Sequence, residues 1–132
     1  EGLEQRYERH RRNHLAFGAG MEAMGMSMHV AAGHRLHALN TPVVPAGIED
    51  MKIRKRLLEG DGIEILGGLG PLAGKVFRVG IMGAGSTKEN VLLLLEKMEA
   101  ALKAEGYAAP SGGRAAAEKY YADTGFSTES KA

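Results

Sequence analysis

The stretch that most constrains this chain is Gly67 to Gly83, GGLGPLAGKVFRVGIMG, a glycine-rich loop running straight into a strand that carries one charge. Side chains alternate faces along a strand, so Phe77, Val79 and Ile81 point one way while Val76, Arg78, Gly80 and Met82 point the other. One face is a core face and the other holds an arginine. A guanidinium in the middle of a strand is costly to desolvate unless an anion or a set of carbonyls meets it. Its planar fork matches a carboxylate in bidentate fashion, and Gly80 on the same face leaves room for a ligand to approach. Two readings of Arg78 stand at this point. Either it receives a substrate carboxylate, or it is paired internally with one of the 16 acidic residues or lies in solvent on an edge strand.

The loop does not read as a phosphate cradle. A Walker loop needs Gly five residues before a Gly-Lys pair and Ser or Thr after the Lys, and Leu69 and Val76 occupy those places. Gly68, Gly70 and Ala73 satisfy a loose GxGxxA pattern, but Pro71 interrupts it. A strand follows in place of a helix, so no helix N-terminus is offered to a pyrophosphate. Part of the reason for the glycines is the positive φ that a tight connection demands.

At 132 residues there is room for one domain with a single core. The 17 basic and 16 acidic residues are interspersed, leaving a net charge of +1 and no electrostatic footprint for nucleic acid or an anionic membrane. The absence of cysteine rules out disulfides and thiolate chemistry and agrees with a reducing, cytoplasmic location. The longest aliphatic run, Val91 to Leu95, is far too short to span a bilayer, and the N-terminus has no apolar signal region, so a soluble chain is expected. The chain begins at Glu1 inside what reads as a running helix, which suggests a piece of something longer.

Leu3, Tyr7, His10, His14, Phe17, Met21 and Met24 recur in steps of four and three, predicting an amphipathic helix over about residues 2–24 that Gly25 ends. His10 and His14 are four apart, but without a third ligand they read as interfacial side chains, and no metal is expected. His29, His34 and His37 match no common metal spacing either. Strands are expected over Met26 to Ala31 and Leu39 to Val44, a short helix over Gly47 to Glu59, and a strand from Ile63 into the glycine loop. The basic run of the short helix reads as a solvated face. After the arginine strand, Ser86 and Glu89 suggest a capping box for a last long helix that stops at Gly106. From Tyr107 to Ala132 the chain is rich in Ala, Gly and Ser. It reads as a mobile or loosely docked tail with a weak helix around Arg114 to Tyr121. The order predicts an α+β fold: a mainly antiparallel sheet of about four strands with helices packed on one face, spanning residues 1–106.

The run IEILGGLGPLAGKVFRVGIMG, with STKENV after it and the helix-and-HRL segment before it, resembles the C-terminal small domain of the class V aminotransferases of the alanine–glyoxylate and serine–pyruvate type. The resemblance covers about Glu1 to Leu102 and is sharpest in the anchor stretch. It implies a fold type I pyridoxal-phosphate enzyme, dimeric when intact, acting on small amino acids and 2-oxo acids. A large domain would hold pyridoxal 5'-phosphate on an internal lysine. It implies further that Arg78 holds the substrate α-carboxylate and that Gly67, Gly68 and Gly70 form the loop beside it. None of Lys52, Lys55, Lys75, Lys88, Lys97, Lys103, Lys119 or Lys131 lies in a family-like Schiff-base context, so the chain alone should be inactive. Arg35, Leu36 and His37 depart from the RLP of many relatives, and Ser130, Lys131 and Ala132 miss the peroxisomal SKL ending, so that address is not inferred. The competing expectations are a free-standing small-ligand-binding regulatory α+β module and a purely structural domain whose Arg78 is internally paired.

Overall fold

The computed structural model describes residues 1–108 and 110–125. Helix α1 runs Leu3–Ala23, strand β1 Leu39–Asn40, helix α2 Asp50–Asp61, strand β2 Leu66–Gly67, strand β3 Phe77–Gly80, helix α3 Lys88–Ala104 and helix α4 Gly113–Thr124. The fold is α+β, as expected.

The sheet is smaller than the sequence pattern predicts. Three strands in the order β1-β3-β2 pair antiparallel, with Leu39 opposite Gly80, Asn40 opposite Val79, Leu66 opposite Arg78 and Gly67 opposite Phe77. The strand expected over Met26 to Ala31 reduces to one bridge, Met28 to Pro42. Pro42 has no amide proton to continue a ladder there. The second half of the predicted Leu39 to Val44 strand likewise persists only as bridging contacts, including Val43 to Val76.

Phe77, Val79 and Ile81 are buried against the helices, as the alternation predicts, with Ile53 and Leu57 of α2 and Leu95, Met98 and Leu102 of α3 in the same core. The stripe of α1 is buried only from its middle onward. His14, Phe17, Met21 and Met24 are in the core, whereas Leu3 and Tyr7 are each 66% exposed. At the start of α3 the cap is one residue later than expected: Thr87 Oγ1 accepts from the Asn90 amide at 3.1 Å. Ser86 instead turns its hydroxyl inward, where it is buried and accepts from Asn13 Nδ2 at 3.0 Å.

The segment expected to be a mobile or loosely docked tail requires a correction. Its residues 113–124 form α4, a full element of the core, with Ala117 and Tyr121 inaccessible to solvent. Two glycines let α4 lie close on α1. A Cβ on Gly20 would fall 2.9 Å from the Gly113 carbonyl oxygen, and one on Gly113 would fall 3.1 Å from the Gly20 carbonyl oxygen. Tyr121 then donates its hydroxyl to the buried Asn13 Oδ1 at 2.6 Å. The remainder of that expectation, residues 126–132 with Ser130, Lys131 and Ala132, lies outside the described residues. Among the described residues no helix is long and apolar enough to cross a membrane.

Candidate functional site

The site is built on β3, whose two faces differ as the sequence indicates. Phe77 and Val79 are sealed under the helices, and Arg78 between them is half-buried on the opposite face. Directly paired residues of antiparallel strands share a face, so Leu66 stands beside Arg78 and Leu39 beside Gly80. Both leucines are exposed, as is Met82. Arg78 therefore rises from an apolar, solvent-facing patch.

Arg78 Nε donates to the Gly67 carbonyl at 2.6 Å. No ion pair joins Arg78 to an acidic side chain among the described residues, so the internally paired alternative finds no partner there. With Nε committed, the two terminal nitrogens form the edge of the fork that remains for an anion. That edge presents two parallel N–H donors, the arrangement a carboxylate accepts.

The three loop glycines occupy distinct places. Gly67 ends β2 and supplies the carbonyl just described. Gly68 bonds through its amide to the Val76 carbonyl at 3.0 Å, and a Cβ there would sit 2.1 Å from the Leu72 carbonyl oxygen, so no other residue fits. Gly70 opens a short 3-10 turn, Gly70–Leu72, with φ of +54°. The loop thus folds back on itself and returns the chain to β3 alongside β2.

Two groups of contacts were not foreseen in the sequence pattern. On α2, buried Asp50 faces Arg54 with Oδ2 3.3 Å from Nε, and both occupy the space a Cβ on Gly67 would need. Their spacing of four on a helix was the available signal. On α1, Arg9 Nη1 donates to the carbonyls of Gly83 at 2.9 Å and Ser86 at 2.6 Å. The Gly83 amide donates to His10 Nε2 at 2.9 Å, and His10 Nδ1 lies 2.8 Å from the Arg6 carbonyl. These contacts hold the turn that follows β3. Arg9 also bonds Glu1, which with Arg6 draws the Glu1 carboxyl down to about 2 despite some opposing desolvation.

The histidines do not converge on a metal geometry. His14 Nδ1 lies 2.6 Å from Asn40 Oδ1 with the His37 ring tilted over it at 5.2 Å, and burial lowers the His14 pKa. Among the described residues no three His, Asp or Glu side chains cluster as metal ligands. An apolar cleft of about 250 Å³ lies on the helix side of β3, lined by Ile63, Val79, Ile81, Val91 and Leu94 among others. It has no cationic liner, so a carboxylate gains nothing there.

The described lysines do not offer a buried amine for a covalently held aldehyde cofactor. Among the described residues none is buried, and Lys52, Lys97, Lys103 and Lys119 are engaged in surface ion pairs. Lys88 stands over the Tyr121 ring, its Nζ 5.5 Å from the centroid.

No protein-family model matches the chain. The (S)-ureidoglycine–glyoxylate transaminase of Bacillus subtilis is 43% identical over 102 residues, which are 77% of this chain and 24% of that protein. The alanine–glyoxylate aminotransferase of Callithrix jacchus is 39% identical over 104 residues, 78% of this chain and 25% of its own length. The crystal structure of ureidoglycine–glyoxylate aminotransferase from Bacillus subtilis superposes with a TM-score of 0.89 at 39% identity, covering 92% of this chain and 32% of that one. That coverage exceeds what residues 1–106 make up, so the likeness extends into the segment that holds α4. The chain spans about a quarter of the length of these curated relatives.

Proposed function

We propose that this chain, which matches the C-terminal region of the class V aminotransferases, is the small domain that receives a substrate carboxylate on Arg78. The reaction would be amino transfer from alanine or serine to glyoxylate or pyruvate, carried out by a longer polypeptide. The observation that carries this reading is the state of Arg78: fixed at Nε by the Gly67 carbonyl, without an acidic partner among the described residues, and set in an exposed apolar patch.

Chemically, the arginine's part is orientation. Its terminal N–H pair would hold both carboxylate oxygens in one plane, and the Nε anchor removes the rotation that would let that plane drift. Leu66 and Leu39 flank the fork with apolar surface, which lowers the local dielectric once the patch is covered and strengthens the ion pair. Gly80 keeps the approach open: the nearest obstacle to a Cβ there is the flexible end of Met82 at 3.2 Å.

Pyridoxal 5'-phosphate would supply the electron sink for amino transfer, held by the part of the protein that this chain does not span. The covering surface would be that large cofactor domain, and the intact enzyme would be a homodimer.

The test uses the product of the native gene purified from its own cell. The expected outcome is an intact mass several-fold above 14.0 kDa and amino transfer from alanine or serine to glyoxylate or pyruvate. A mass near 14.0 kDa with no transfer after addition of pyridoxal phosphate would contradict the proposal and favour a free-standing ligand-binding module.

A further inference from the structure

The residue whose carbonyl anchors Arg78 is backed by side chains on its other face. Gly67 is opposite Phe77, so its Cα faces the helix side of the sheet while Arg78 occupies the other face. On that helix side stand Asp50, 8% exposed in the first turn of α2, and Arg54 one turn later. A Cβ on Gly67 would lie 2.9 Å from Asp50 Oδ2, 3.2 Å from Arg54 Cζ and 3.3 Å from Arg54 Nη2. The carboxylate and the guanidinium are thus stacked against the Gly67 backbone. The other Asp50 oxygen reaches the far end of the same loop, where a Cβ on Gly74 would be 3.9 Å away.

This pair is not a surface ornament of the helix. Arg54 Nε is buried and has no hydrogen-bond acceptor, although Asp50 Oδ2 is 3.3 Å from it. The two charges attract without an aligned hydrogen bond. A buried charge pair kept in that imperfect geometry against the loop points to a positional requirement. We infer that Asp50 and Arg54 are positioning residues of the carboxylate site: their packing on Gly67 sets where its carbonyl stands, and through that carbonyl the direction of the Arg78 fork. The inference rests on the reading of Arg78 as the carboxylate receptor.

The experiment is a double-mutant cycle in the native full-length gene product, with steady-state kinetics for the amino donor. Arg78→Lys alone is expected to raise KM. Asp50→Asn alone is expected to raise KM about tenfold with kcat within about twofold, since only ground-state placement of the carboxylate is disturbed. Combined with Arg78→Lys, Asp50→Asn should add less than about twofold, because the fork it aims is already gone. Gly67→Ala, which drives a methyl into the same pair, is expected to repeat the Asp50→Asn phenotype and decides the matter if Asp50→Asn lowers the melting temperature below the assay range. An unchanged KM in the folded Asp50→Asn or Gly67→Ala protein, or full multiplication with Arg78→Lys, would overturn the positioning role while leaving the carboxylate role intact. An unchanged KM in Arg78→Lys itself would overturn both.

Discussion

Gly68 shows how a single position decides the shape of the loop beside Arg78. The missing side chain is demanded by a backbone oxygen, which cannot swing aside as a flexible side chain could: a Cβ would stand 2.1 Å from the Leu72 carbonyl oxygen. Gly68→Ala is expected to cost at least about 2 kcal/mol and to lower the thermal midpoint accordingly; a midpoint equal to that of the parent would show that the loop yields. Tyr121 is a second such position. Its hydroxyl donates to Asn13 Oδ1, and Asn13 in turn donates to Ser86, a chain of buried groups linking α4, α1 and the turn after β3. Tyr121→Phe leaves the Asn13 oxygen without that donor, at a cost of about 1–3 kcal/mol measurable by denaturant unfolding. No change in midpoint would mean that another donor replaces it.

At the scale of elements, what the sequence made legible is what periodicity and alternation control. Phe77, Val79 and Ile81 against Arg78 follow from the two faces of a strand, and the stripe of α1 from Phe17 onward follows from the helical repeat. What was not legible depends on what lies opposite: the helix around Arg114 to Tyr121 is expected, but its docking into the core is not. Helix α4 has an Ala-rich face with little apolar signal of its own, and it is held by Glu99 of α3, whose carboxylate accepts from the amides of Gly112 at 2.9 Å and Gly113 at 3.1 Å. That cap crosses between elements, so no local motif announces it. The solvated reading of the α2 basic run holds for exposed Lys52, Lys55 and Arg56 and fails for half-buried Arg54, because only the fold brings Gly67 over it. Glu99→Gln removes the charge that meets the α4 N-terminus and is expected to destabilise the protein by about 0.5–2 kcal/mol, with faster hydrogen exchange concentrated in residues 113–124. Exchange that rises uniformly would argue against a local cap.

For the molecule as a whole, His14 and Glu99 tie stability to pH in the same direction. Burial lowers the His14 pKa, with His37 and Arg35 adding repulsion, against an opposing bond to Asn40. The unfolded histidine takes up a proton near its usual 6.5 while the folded one resists it, so stability is full above that pH and declines as pH falls below it. Burial pushes Glu99 upward, but hydrogen bonds from Gly113 and Gly112 and the Lys103 ammonium outweigh it and hold its carboxyl below the usual range. Its contribution is present above about 4.5 and is lost as pH falls through its folded value. The thermal midpoint is therefore expected to fall from pH 7 to pH 5 through His14, a decline lost in His14→Gln, and to fall again below about pH 4.5 through Glu99. A midpoint flat from pH 7 to pH 5 would contradict the His14 assignment, and one without a further fall below about pH 4.5 the Glu99 assignment. The central claim concerns recognition of a carboxylate, and one comparison addresses it directly: the native full-length gene product and its Arg78→Ala variant, each assayed with alanine and with ethylamine, which lacks only the carboxylate. The account predicts that the parent's preference for alanine in kcat/KM collapses by about 100-fold or more in Arg78→Ala, because the fork that distinguishes the two amines is gone. A preference that survives the substitution unchanged would place carboxylate recognition on another residue.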